Sequence, residues 1–295
     1  MQSLIKSKQA VCSVVSNASI SRLIPWSHSS TRIRIILWAC VLISVTILTS
    51  QAVAQSFFFS TGDPDGRIAT AGRFSESGQQ IESADDFVLD QETIIQHATF
   101  TGLLPPGTRA NDIEVVDVAI YQVFPENSQD PPSGNVPTRV NSPADEEIDA
   151  RNSEEGTLHF GLAIVQDSFT AENSVLNGIN PIPNQTTGGE GPVSGEEVRF
   201  VVTFSTPFDL PAGHYFFVPT VKVSEGEFFW LSAPKPIVAP GTPFTPDLQS
   251  WMRNEALAPD WLRIGTDIVG GSPPPTFNAS FSLHGRVAHG PSSAE

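Results

Sequence analysis

The sequence has 295 residues, and its 16 Lys and Arg are outnumbered by 32 Asp and Glu, which gives a formal net charge of −16 at pH 7. A chain of this charge repels the phosphate backbone of nucleic acids, so neither DNA nor RNA is expected as a partner. The length suits one large β-domain or two small ones.

Residues 1–54 have the pattern of a signal peptide. Residues 1–34 contain five Lys and Arg and no acidic residue, Ile35–Leu48 is apolar, and Ala52-Val53-Ala54 supplies the small residues that a signal peptidase recognises. We predict export through the Sec pathway with cleavage after Ala54. The apolar run has 14 residues, which is short for a membrane anchor. Contact with a membrane is therefore expected only if the leader is not cleaved.

Removal of the leader changes the composition of what remains. Because the leader contains five of the 16 basic residues and none of the acidic ones, the mature chain has 11 basic and 32 acidic residues, a formal net charge of −21. Cys12 and Cys40 both lie in the leader, so the mature protein is expected to lack disulfides and to depend on its core for stability. This combination is typical of a bacterial exterior.

Two pairs of acidic residues near the start of the mature chain are candidate metal ligands. Asp63 and Asp65 belong to an Asp-Pro-Asp-Gly turn, although alternate Asp residues before a glycine also resemble the start of an EF-hand loop, which is incomplete here. Asp85 and Asp86 are adjacent at the entrance of a predicted strand and should point to opposite faces. Either pair binds Ca²⁺ or has only a local structural role, and Ca²⁺ is the one cofactor that the sequence suggests.

The first half of the mature chain alternates between β-rich runs and polar stretches. Phe57–Phe59 predicts a strand that is buried on both faces or covered by a loop. Further strands are predicted at Thr93–Leu104, Ile113–Phe124 and Leu158–Val165, from their alternating or continuous apolar residues. Long loops rich in Pro, Asn and Gly are predicted at 125–157 and 173–195, and the acidic 125–157 stretch is either a solvated excursion or a binding loop.

The stretch from Val198 to Ala233 has the clearest strand pattern. Three β-rich runs separated by two turn signals predict an antiparallel meander. Apolar side chains share one face of each of the first two runs, namely Val198, Phe200, Val202 and Phe204, and then Tyr215, Phe217, Val221 and Val223. A sheet with such a face needs a second layer to cover it.

The C-terminal part ends in another strand. Proline-rich residues 233–246 favour extended backbone, and Asp247–Arg263 is either a short helix or an irregular strand. Phe277–Val287 alternates apolar and polar residues, which predicts a half-exposed antiparallel strand. Its outer row is polar and mildly basic, which is an exception on so acidic a protein: Asn278, Ser280, Ser282, His284 and Arg286.

Eight or so β-runs without a convincing long helix predict an all-β fold. We expect a two-sheet antiparallel β-sandwich of jelly-roll type, with long Pro/Gly-rich loops, over residues 55–287. The tail at 288–295 is expected to be disordered.

Two short motifs resemble a known group of proteins. Ala84-Asp85-Asp86-Phe87 resembles the Ala-Asp-Asp-Phe opening of exported bacterial β-sandwich proteins, and Leu210–Tyr215 is similar to their Leu-x-Ala-Gly-x-Tyr turn and strand. Such proteins often end in a PEP-CTERM sorting tail, which is not found in this sequence. The resemblance implies an exported sandwich of unassigned biochemical role, and it implies no catalytic residues.

No catalytic residue is predicted. The sequence lacks a Gly-x-Ser-x-Gly nucleophile motif. Glu225 and Glu227 have a spacing that would suit a retaining glycosidase, but a solvated turn explains them better. Four histidines occur singly on different predicted strands rather than at the spacing of a zinc site: His97, His159, His214 and His284.

Sugar binding is the activity that the sequence favours. Trp230, Trp251, Trp261 and Tyr215 are the candidate ligand-binding residues because aromatic rings stack on pyranose rings, although all of them would also suit the core. We predict a secreted or cell-surface, non-enzymatic binding or matrix module that recognises an extracellular polysaccharide or another cell-surface component. The alternative is a carbohydrate-active enzyme, a glycoside hydrolase or a lyase, built on the same sandwich.

Overall fold

The computed structural model describes residues 55–74, 79–124, 136–177, 179 and 185–288. The predicted signal peptide, residues 289–295 of the predicted tail and parts of both predicted loops lie outside the described residues. The described residues all belong to one compact unit, Val53–Glu295. Within them, no helix has the length and apolar character needed to cross a lipid bilayer.

The described residues form fifteen strands, joined by loops and by two short helical turns at Ala110–Asp112 and Ile264–Val269. In chain order the strands are β1 (Ser56–Ser60), β2 (Ala69–Ala71), β3 (Ile81–Leu89), β4 (Thr93–Leu104), β5 (Ile113–Gln122), β6 (Asp149–Asn152), β7 (Leu158–Ala171), β8 (Ser174–Val175), β9 (Val193–Leu210), β10 (Gly213–Val223), β11 (Phe229–Ala233), β12 (Trp251–Asn254), β13 (Leu262–Arg263), β14 (Asn278–Ala279) and β15 (Phe281–Val287).

The strands divide into two sheets. In the larger sheet of nine strands, β1, β15, β4, β9 and β7 lie side by side, and β11, β2, β8 and β14 extend it beyond the end of β15. The smaller sheet has six strands in the order β13, β12, β3, β10, β5, β6. All of these pairs are antiparallel except β2 with β8. The prediction of a two-sheet antiparallel sandwich is confirmed.

The main core fills the space between the sheets. Period-two apolar rows from both sheets meet there, including the predicted inner row of β9 from Val198 to Phe204. Aromatic rings account for much of the contact: Phe100 stacks on Phe200 with ring centroids 4.7 Å apart, and Phe217 stacks on Phe281 at 5.0 Å. These contacts join strands distant in sequence, so the core fixes which strands face each other.

The structure corrects the local predictions in three places, one of which is strand β6 within the loop predicted at 125–157. The predicted meander does not form, because β9 and β11 belong to the larger sheet whereas β10 lies in the smaller one. Each turn in this stretch therefore carries the chain from one sheet to the other. Of the two alternatives for Phe57–Phe59, burial on both faces is excluded: the strand pairs with β15 at a sheet edge, and Phe58 is 52% exposed, while Phe244 of a later loop packs against Phe59.

The outer faces of the two sheets differ. Loops cover the smaller sheet, where Trp261 Nε1 donates to the Ala144 carbonyl at 3.2 Å and the Arg253 guanidinium lies 4.2 Å from the Trp261 ring. Arg253 also forms a buried ion pair with Glu82 at 2.5 Å. On the larger sheet, by contrast, each of the four strands β15, β4, β9 and β7 has outward-facing residues that are exposed, namely His284, His97, Val201, Thr203 and His159. This difference leaves the larger sheet as the open broad face of the sandwich.

Candidate functional site

The four aromatic residues predicted to stack on sugars lie in the interior. Trp230 belongs to the core between the sheets, where its Nε1 donates to the Ser280 carbonyl at 2.9 Å, and Tyr215 lies in the same core. Trp251 and Trp261 lie beneath the loops of the smaller sheet. Each of the four is at most 2% exposed. In this structure a sugar cannot reach their rings, so they form part of the core rather than a stacking surface.

The first predicted acidic pair lies in a turn. Asp63 is exposed and forms an ion pair with Arg199 at 3.3 Å. Asp65 Oδ1 accepts hydrogen bonds from Ser232 Oγ at 2.5 Å and from the Arg67 amide at 3.1 Å. These contacts favour a structural role for Asp65, which ties the turn to β11.

The second predicted acidic pair is buried, and its two side chains point to opposite faces of β3, as predicted. Asp85 accepts hydrogen bonds from the Ala279 amide at 2.8 Å and from Ser250 Oγ at 2.9 Å. Asp86 accepts one from the Leu248 amide at 3.1 Å and contacts His214 Nε2 at 2.5 Å. Burial raises the pKa of both carboxyl groups well above the ordinary value, and repulsion by Asp86 raises that of Asp85 further.

Burial disfavours the charged forms of both His214 and Asp86, which contact each other. Burial lowers the pKa of His214 to about 4, so its imidazole is neutral at pH 7. Burial also raises the pKa of Asp86, which favours the protonated form of this carboxyl group. The two pKa shifts have the same cause, because the loss of surrounding water penalises a charge on either side chain.

Lys235 provides a positive charge next to the same cluster. Its Nζ donates to the carbonyl oxygens of Asp247 and Leu248, each at 2.8 Å, and lies 2.7 Å from Asp247 Oδ1. The Lys235 charge lowers the pKa of Asp85 and Asp86, against the stronger effect of burial. Over the described part of the chain, no three or more His, Cys, Asp and Glu side chains are grouped as metal ligands. Ca²⁺ binding by these residues stays a prediction from the sequence pattern.

The two glutamates considered for glycosidase chemistry have different surroundings. Glu227 forms an ion pair with Arg73 at 3.0 Å, whereas Glu225 is exposed. Both lie where the chain crosses from β10 to β11, with Gly226 between them at a positive φ of 84°. The ion pair favours a structural role for Glu227.

The candidate functional site is the exposed outer face of β1, β15, β4, β9 and β7, which we call the polar face. Its central row consists of residues that are directly opposite one another across all five strands: Phe58, His284, His97, Thr203 and His159. At a strand spacing of about 4.8 Å, the row is about 19 Å long. Three of the four histidines that are scattered in the sequence are thus brought into one line.

Contacts along this row hold its side chains in place. The rings of Phe58 and His284 lie 4.7 Å apart, and His97 Nδ1 lies 3.1 Å from Thr203 Oγ1. Burial and the neighbouring His97 lower the pKa of His284, which favours its neutral form. The row therefore presents an aromatic ring, imidazole groups and a hydroxyl in a defined order.

Hydroxyl groups flank the central row. Thr99 Oγ1 and Ser282 Oγ, on β4 and β15, lie 2.8 Å apart. Both line a shallow depression of about 270 Å³, together with Phe58 and the Arg199–Asp63 ion pair. Such a surface can exchange hydrogen bonds with a polyhydroxylated ligand while one aromatic ring packs against it.

A second cavity lies at one end of the sandwich. This cleft of about 530 Å³ is lined by Phe57 and Phe244 and by polar side chains that include Asp90 and Thr242. A smaller cleft of about 390 Å³ shares the Phe244 wall and contains Lys235. Since aromatic and polar groups meet there too, the end cleft is the competing candidate for a ligand site.

Only one strand's contribution to the polar face could be predicted from the sequence. Alternation in Phe277–Val287 predicted a polar, mildly basic outer row on β15, and this row is part of the site. The partners of β15 could not be found from local patterns, because β4 and β1 lie far away in the chain. Comparison of the chain with models of protein families, with curated proteins and with solved structures found no match.

Proposed function

We propose that this protein is an exported, non-enzymatic binding module that contacts an extracellular polysaccharide through its polar face. The observation that carries the proposal is the in-register line of polar side chains on four adjacent strands, which ends at the exposed Phe58 ring on the fifth. An extended polymer can lie along such a line and contact every strand that it crosses. Export itself rests on the pattern of residues 1–54.

The chemistry of the face favours a neutral, hydroxyl-rich polymer. Hydroxyl and imidazole groups both donate and accept hydrogen bonds, as sugar hydroxyls do. The Arg199 charge is compensated by Asp63, so no strong single-sign field is present in the depression. Phe58 adds an apolar ring against which one sugar unit can pack. The large negative charge of the mature chain adds a reason to expect weak affinity for acidic polymers.

Binding can be measured on a glycan array and by co-sedimentation with insoluble polysaccharides, using the exported protein. We expect Phe58→Ala and Thr203→Ala each to weaken binding at least about tenfold, because each removes a contact from the central row. Val238→Ala is the matched control, since Val238 is 51% exposed and lies outside the polar face. Melting temperatures of all variants should stay close to that of the wild type.

The alternative sites and the alternative activity give different experimental results. If Phe244→Ala abolishes binding while Phe58→Ala leaves it unchanged, the end cleft is the site and the polar face is not. If the wild type releases reducing sugar and Glu225→Gln does not, the protein is a carbohydrate-active enzyme rather than a binding module. A Ca²⁺ titration of the melting temperature tests the acidic pairs separately, because bound Ca²⁺ would raise it.

A further inference from the structure

Two histidines of the polar face are adjacent in a way that suits metal coordination. His97 on β4 and His284 on β15 are direct cross-strand partners. Directly opposite residues of an antiparallel pair have Cβ atoms about 4.5–5.5 Å apart, which lets two imidazoles approach one ion. Both residues are exposed, so an ion can reach them from solvent.

The surroundings of the two rings leave one nitrogen of each available. His97 Nδ1 lies within hydrogen-bonding distance of Thr203 Oγ1 at 3.1 Å, and His284 Nε2 lies 3.4 Å from Ser282 Oγ. The His284 ring also packs against Phe58. A hydrogen bond to one ring nitrogen selects the tautomer and orients the other nitrogen as a ligand, which is the usual arrangement around metal-bound histidine.

We propose that His97 and His284 bind one divalent transition-metal ion, with water completing its coordination. Imidazole nitrogen suits Cu²⁺, Ni²⁺ and Zn²⁺, whereas Ca²⁺ and Mg²⁺ require oxygen ligands. The affinity order expected for such a site is Cu²⁺ above Ni²⁺ and Zn²⁺. Two protein ligands rather than three give a weak, exchangeable site, in agreement with the lack of any larger ligand group among the described residues. The site goes beyond the proposed polysaccharide binding and does not depend on it.

His159 provides a matched control within the same row. It is exposed like the other two, but Thr203 on β9 separates it from His97. The distance of His159 from His97 thus corresponds to two strand spacings, about 10 Å, which one ion cannot bridge. A metal site made by the pair must therefore be insensitive to replacement of His159.

The test is isothermal titration calorimetry at pH 7.5, in which the untagged, exported protein is titrated with CuCl₂ and, separately, with NiCl₂. We expect one ion per chain, and dissociation constants at least about tenfold larger in His97→Ala and in His284→Ala. His159→Ala should bind like the wild type. Unchanged melting temperatures show that the exposed substitutions leave the fold intact.

Three results would overturn the proposal: no binding by the wild type, wild-type affinity in both His97→Ala and His284→Ala, or an equal loss in His159→Ala. Electron paramagnetic resonance of the Cu²⁺ complex adds a direct readout, since two coordinating nitrogens give a hyperfine pattern that either single variant reduces to one. No polysaccharide enters these measurements, so their failure would leave the proposed function standing, and the reverse also holds.

Discussion

At the scale of single residues, burial is the main cause of the raised pKa values of the acidic side chains. Asp117 is partly buried on β5, and its carboxylate accepts a hydrogen bond from Asn152 Nδ2 at 3.2 Å. Burial, with smaller contributions from Glu147 and Glu82, nevertheless raises the pKa of Asp117 to about 7. The single hydrogen bond is too weak to compensate for the loss of water around the charge.

This pKa predicts a pH-dependent stability. Between the unfolded pKa of about 3.9 and the folded value of about 7, the folded state holds a proton that the unfolded state has released. The free energy of unfolding should therefore fall as the pH rises through this window. Asp117→Asn removes the ionisable group, so we expect the variant to be more stable than the wild type by about 1 kcal/mol at pH 8 and by little at pH 4. Urea unfolding at both pH values measures this, and an equal difference at both would contradict the assigned pKa.

The surroundings of the three tryptophans could not be predicted from the sequence. Alternation places Trp230, Trp251 and Trp261 beside apolar rows but does not reveal what covers them. For Trp261 the cover is the Ala144 segment, which lies more than a hundred residues earlier in the chain. Arg253, the other neighbour of this ring, is held by Glu82 through a buried ion pair that no local motif predicted.

At the scale of elements, local patterns located strands far better than they located strand partners. Alternation in β9 and β10 predicted their inner rows correctly because side-chain period depends only on the strand itself. The second turn signal of the predicted meander implies a hairpin, but the strands on either side of it, β10 and β11, lie in different sheets. A turn reverses the chain in both cases, so its residues cannot distinguish a hairpin from a crossing between sheets. The undecided stretch 247–263 contains the short strands β12 and β13.

Strand packing makes one glycine of β4 irreplaceable. A Cβ added at Gly102 would lie 2.3 Å from the Phe228 ring and 2.4 Å from the Phe229 carbonyl oxygen, where β11 lies close to β4. Gly102→Ala should therefore destabilise the protein by about 2 kcal/mol or more, since both ring and backbone must move. Gly161 on β7 is the matched control, because a Cβ there would meet nothing within 4 Å.

Chemical denaturation of both variants measures the difference. Gly161→Ala should stay within about 0.5 kcal/mol of the wild type, as expected for an exposed strand position without special contacts. If the two alanine variants unfold at the same denaturant concentration, then β11 and β4 do not approach each other as closely as the structure places them. The register of the larger sheet near Trp230 would then need revision.

At the scale of the whole molecule, the chain alternates between the two sheets. β3 lies in the smaller sheet, β4 in the larger and β5 in the smaller, and β9, β10 and β11 repeat the alternation in the opposite sense. The long pairing of β4 with β9 then joins the two halves of the chain across about a hundred residues. Neither half of the sequence contains a complete pair of facing sheets.

This connectivity predicts that the described region unfolds as one cooperative unit. A cut anywhere between β5 and β9 would separate strands that share the main core, so neither piece could bury its apolar rows alone. Calorimetry of the exported protein should give one transition with equal calorimetric and van't Hoff enthalpies. A single cut introduced between β5 and β9 should leave the two fragments associated until denaturant separates them. Two calorimetric transitions, or fragments that remain folded after separation, would show that the sheets are stable independently, and the polar face would then lack the rigid support that an in-register binding surface requires.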